Sequence, residues 1–174
     1  MHSERSLAES AFGDDDGTAT PATRAVLAAA VGSTDPQDYL RAVAALCLDR
    51  VLVPVVATAT RLGETVGGLS SDKEAEMSVV LLQAADGRRA MLAFTGTDAL
   101  QAWDDTARPV PVTMDIAASS AQADGAVALL VDFAGPHPLV IDGGILAQLA
   151  AGHRLAELPD QQFGWVVAQP DAGE

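Results

Sequence analysis

The chain has 174 residues, 49% of them apolar but only 4% aromatic, and its 24 acidic side chains against 10 basic ones give a formal charge of −14. That length suits one domain with a core built mainly from Ala, Val and Leu, and it argues against a pocket walled by many rings. The charge would repel a phosphate backbone or an anionic leaflet over most of the surface, which excludes nucleic acid and membrane surfaces as principal partners.

Residues 1–20 carry Glu4, Glu9 and Asp14-Asp15-Asp16 among Ser, Gly and Thr. This mixture is too polar to offset its own ordering entropy, and a disordered acidic tail is expected. The start lacks an apolar signal-peptide core, and no apolar run approaches the ~18 residues that span a bilayer, so the expected location is the cytoplasm. Thr20-Pro21 opens an apolar stretch that stops at Gly32, the pattern of a first helix. Asp35-Pro36 repeats the start signal, and Tyr39, Leu40, Val43, Leu46 and Cys47 recur at helical spacing. The lone Cys47 fits a buried helix face, and it leaves no intramolecular disulfide to form.

Val51 to Thr58 reads as a strand whose Pro54 points to an edge position or a bulge. Thr60 to Lys73, with Gly67-Gly68, reads as a long flexible loop. Met77 to Ala84 and Ala90 to Thr95 flank Ala85-Asp86-Gly87-Arg88, a hairpin signal of the type I′ kind. Thr97 is expected to cap a short helix through Trp103. Pro109 and Pro111 impose an extended path, and Asp115 is expected to cap a helix to Asp124. Val127 to Val131 has the unbroken apolarity of a central strand. After Gly135-Pro136 come a strand at Leu139-Val140-Ile141 and a last helix from Gly144 to about Ala151. Beyond it only Phe163 to Ala168 carries a signal.

The succession Ser71 to Met77, Asp86 to Ala90, Phe94-Thr95, Ala102-Trp103-Asp104 and Arg108 to Val112, followed by Leu130-Val131-Asp132 and Ala134-Gly135-Pro136, resembles the SseB-like family (SseB N-terminal domain) of actinobacterial type. The resemblance spans roughly residues 37–152. It implies an α+β fold, one mixed domain of short strands and helices over 21–152, with 153–174 left as a C-terminal extension. It implies no reaction and transfers no catalytic residues, and kinship of fold is only an associational guide to function.

His137 could serve as a general base oriented by Asp132, but no nucleophile motif accompanies it, and a turn histidine is the plainer reading. No Gly-x-Ser-x-Gly elbow and no phosphate-binding glycine loop is present. His2, His137 and His153 have no ligand-like spacing with Cys47, so no metal and no cofactor is expected. His153 would complement the negative end of the last helix. The acidic runs Asp104-Asp105 and Asp14-Asp15-Asp16 lack calcium-loop spacing and read as solvated. Asp142-Gly143-Gly144, between a strand and a helix, is the candidate anion site, although Asp142 is itself a good N-cap that would occupy the amides. Trp103 reads as core or as an interface anchor, with core preferred. The candidate protein-interaction positions are Gly67, Gly68, Pro136, His137 and Trp103. These features together suggest a non-enzymatic cytoplasmic module that binds another protein, with self-association possible. The alternatives are a small-molecule or anion-binding protein using the Asp142-Gly143-Gly144 turn, or an enzyme with a site around Asp132 and His137.

Overall fold

The computed structural model describes residues 12–58 and 76–167. The loop holding Gly67 and Gly68 lies outside them. Two helices open the fold, α1 (Pro21–Val31) and α2 (Pro36–Leu48), each with proline in its first turn. Asp35 caps α2 by accepting the Gln37 amide, which satisfies one of the free donors of a helix start.

Next comes β1 (Arg50–Thr58), which lies between β2 (Glu76–Val79) and β5 (Arg108–Thr113), antiparallel to both. Pro54 is therefore on a central strand and not on an edge. The backbone of Leu52 exchanges two hydrogen bonds with Phe94 (2.7 and 2.8 Å) on the side away from β5. Pro54 shares that orientation, so its missing N–H falls between the Phe94 bridge and the β2 ladder that begins at Val55. Pro111 and Pro109 sit opposite Leu52 and Pro54, and by the same alternation their missing donors face the outer edge of β5. They blunt an edge that would otherwise invite another strand.

The second sheet has the order β3 (Leu81–Gln83), β4 (Arg89–Ala93), β6 (Ala128–Val131), β7 (Leu139–Asp142). The run expected as a single strand from Met77 to Ala84 divides at Val80, its first part pairing with β1 and its second with β4. The β3–β4 turn differs from type I′. Gly87 has φ +87°, Asp86 does not enter positive φ, and the Gly87 amide donates to the Ala84 carbonyl, which makes a type I turn closed by a glycine bulge. As expected, β6 is central, parallel to β4 and antiparallel to β7.

Alternation along these strands builds two cores. Val51, Val53, Met91, Ala93, Leu129 and Val131 face the larger one, shared with α1, α2, α4 (Met114–Ala123) and α5 (Gly143–Ala150). Leu52, Leu92 and Phe94 face a smaller one under α3 (Thr97–Trp103), with Ala99 and Leu100. Gly96 holds the N-cap position of α3 and Thr113 that of α4, so neither Thr97 nor Asp115 is the cap. The described residues end in a hairpin, β8 (His153–Leu158) and β9 (Gln162–Val167), of which the sequence signals only the second strand. Leu155 and Phe163 anchor it to the larger core. The architecture is mixed α+β.

The expectation of a free acidic tail does not extend to residues 12–20. The Gly17 carbonyl accepts the Thr97 amide at 2.8 Å, and the Asp15 carboxylate forms an ion pair with the nearly buried Arg50. Arg50 also donates to the Thr18 and Thr95 carbonyls, so one guanidinium joins this segment to β1 and to the end of β4.

Candidate functional site

A concavity of about 640 Å³ opens where α2, β7, α5 and β9 meet. Tyr39 from the first turn of α2 and Trp165 from β9 supply its rings, with Val140 and Ile145 between them. The Tyr39 hydroxyl donates to the Val140 carbonyl on the edge strand β7 at 2.9 Å, which fixes the ring against the wall. Burial, reinforced by the negative charge of Asp142, holds the Tyr39 hydroxyl above its ordinary pKa. Trp165 is 38% and Val140 49% exposed, large apolar surfaces left to solvent around one hollow.

Asp142, Gly143 and Gly144 form the rim at the start of α5. Asp142 occupies the N-cap position, as its sequence context suggests. Its side chain, however, makes no capping hydrogen bond, so the carboxylate does not close the helix amides and stays at the mouth of the concavity. Gly143 takes φ +52°, a left-handed conformation that glycine adopts without steric cost. Gln148, one turn further along α5, also lines the hollow and meets His153 Nδ1 at 2.5 Å through its Oε1, so His153 pairs with a side chain at the helix end.

The other candidate positions separate from this site. Trp103 is half-buried and stacks on Phe94, ring centroids 5.8 Å apart, within the smaller core. Pro136 and His137 lie on the loop between β6 and β7, which also carries Phe133, 50% exposed. Asp132 does not orient His137. It is fully buried, at φ +50°, and its two carboxylate oxygens accept the Thr95 amide (2.8 Å) and hydroxyl (2.7 Å), with Arg24 Nε 3.4 Å away. Arg24 then reaches the exposed Asp98, so this buried acid is fully engaged in holding α1 to the β4–α3 turn. Asp104 accepts the amide and hydroxyl of Thr106, which closes an acidic turn.

Cys47 is buried, and that burial raises its thiol pKa, which keeps it in the unreactive thiol form. Among the described residues no three His, Cys, Asp or Glu side chains come together as a metal site, and no helix is long and apolar enough to cross a membrane.

The mixed sheets, the layer of helices over one face and the short α3 over the other define an α+β domain whose matched part runs from α1 into α5. The family model for the SseB protein N-terminal domain matches residues 23–148, and the chain belongs to that family. The match begins earlier than the resemblance in the sequence, taking in most of α1, and stops before the β8–β9 hairpin. No curated protein and no solved structure matches the chain at a significant level. The concavity thus combines matched residues (Tyr39, Val140, Asp142 and their neighbours) with Trp165 from outside the matched span.

Proposed function

We propose that the protein is a non-enzymatic, cytoplasmic protein-interaction module whose docking surface is the concavity between α2, α5 and the terminal hairpin. The observation that carries this reading is the pairing of Trp165 with Val140, both well exposed, on one open hollow whose wall is braced by the Tyr39–Val140 hydrogen bond. A partly exposed tryptophan on a braced apolar wall has the character of an interface anchor, since truncation of such residues dominates binding energies. The non-enzymatic part is supported by the engagement of Asp132 with Thr95 and Arg24, which leaves His137 without the carboxylate an acid–base pair would need.

A photo-crosslinking amino acid placed at Val140 tests the proposal. Exposure in cells should join it to a defined polypeptide, and the same group at Arg88, on the far hairpin turn, should not yield that product. Equal or absent crosslinking at the two positions would contradict it.

The second reading, a small-molecule or anion-binding protein, is favoured by one observation: Asp142 leaves the first amides of α5 without a side-chain cap. The same carboxylate stands at the mouth of the site and opposes an anion. Thermal shift with inorganic phosphate separates the two readings, since the interaction reading expects none.

A further inference from the structure

The residues around the concavity carry a charge preference as well as an apolar one. Among the described residues, two aromatic rings, Tyr39 and Trp165, and one carboxylate, Asp142, contribute to its lining, and no basic side chain does. The Asp142 carboxylate is exposed and makes no hydrogen bond to α5, so its full negative charge is available at the rim. The opposing contribution is the positive end of α5, worth at most about half a unit charge for a long helix and less for one of eight residues. The carboxylate therefore sets the sign. Arg41 of α2 does not reverse it, because its guanidinium is held by Asp38 at 2.7 Å and by Glu157 at 3.3 Å. The net charge of −14 adds a long-range field of the same sign.

Aromatic faces next to an uncompensated carboxylate favour organic cations, which the ring quadrupole and the acid attract together. A planar guanidinium suits them better than an ammonium, since it can stack on a ring while donating to a carboxylate. We propose that the Tyr39–Trp165–Asp142 concavity receives an arginine side chain of the partner polypeptide. This rests on the protein-interaction reading and names the chemistry that the partner presents.

The test uses the full chain, labelled with 15N, and the peptide Ac-Gly-Gly-Arg-Gly-Gly-NH2, followed by amide and indole chemical shifts. The peptide should titrate Gly143, Gly144 and the Trp165 indole saturably, while the citrulline peptide, of the same shape but uncharged, should bind at least about tenfold more weakly. Asp142→Asn keeps a good N-cap residue and should weaken the arginine peptide by a similar factor at an unchanged melting temperature. Ethylguanidinium should bind more weakly than the peptide. Equal binding of the arginine and citrulline peptides, both lost in Trp165→Ala, would overturn the cation preference while leaving the interaction reading in place. Equal affinity of ethylguanidinium and the peptide would overturn the assignment to a polypeptide. No shift at these positions with any probe would overturn the proposal outright.

Discussion

The hydroxyl of Tyr39, in the first turn of α2, donates to the carbonyl of Val140 on the edge strand β7, 101 residues further along the chain. This bond crosses from the helical layer to the sheet and sets the position of one wall of the concavity. Tyr39→Phe keeps the ring and removes the bond, so it should lower stability by about 1 kcal/mol, the usual net worth of such a hydrogen bond. Urea denaturation of the variant beside wild type measures it, and an unchanged midpoint would show that the wall stands without the bond.

The Arg50–Asp15 pair should make stability depend on pH. The Arg50 guanidinium, by hydrogen bonding, holds the Asp15 carboxyl below its ordinary pKa. A carboxyl depressed in the folded state stabilises fully above its unfolded pKa and loses that contribution as pH falls through the lower, folded value. Melting temperature should therefore fall as the solution is acidified below about pH 4. Asp15→Asn should fall less steeply over that range, and at neutral pH it should cost about 2 kcal/mol because Arg50, only 8% exposed, loses its ionised partner. Parallel acid profiles of wild type and variant would remove Asp15 from the account.

Trp103→Ala tests the smaller core. Complete burial would put the cost at about 3 to 5 kcal/mol, but Trp103 is only partly buried where it stacks on Phe94, so about 2 kcal/mol is expected. The same variant should bind the arginine peptide as wild type does. Guanidinium denaturation gives the first quantity, and a midpoint equal to wild type would place Trp103 outside the core.

Gly87→Val isolates a backbone effect. Among the described residues only Gln83 Nε2, 4.0 Å away, approaches the position a Cβ would take, so there is room for a side chain. The cost comes from forcing a β-branched residue to φ +87° and should reach about 1 kcal/mol or more. Thermal melts of the two proteins read it directly, and equal melting temperatures would count against the bulged turn.

Features written in adjacent residues are legible in the sequence itself. Asp35-Pro36 announced α2, and Asp86-Gly87 announced the β3–β4 hairpin, because caps and turns are local chemistry. Pro54 misled, because a proline tells only that one donor is missing and not which neighbour stands opposite. The strand β8 left no signal, since Arg154 and Glu157 interrupt its apolar pattern and its fit depends on Leu155 reaching a distant core. The site was half visible. Asp142-Gly143-Gly144 marked the rim, whereas Tyr39, read as one position of an amphipathic helix, and Trp165, inside the Phe163–Ala168 run but with no role to read there, come to one concavity only through the fold. The Arg50–Asp15 and Thr95–Asp132 contacts, separated by 35 and 37 residues, have no spacing rule that could announce them.

The most direct test of the interaction surface is the affinity of the polypeptide crosslinked at Val140 for wild type, Trp165→Ala and Val140→Ser, measured by calorimetry with melting temperatures recorded beside it. Val140 is 49% exposed, so its truncation should leave stability nearly unchanged. The account predicts that Trp165→Ala binds at least about tenfold more weakly and Val140→Ser measurably so, as expected when an anchor and its wall are cut back. Wild-type affinity in both folded variants would contradict it.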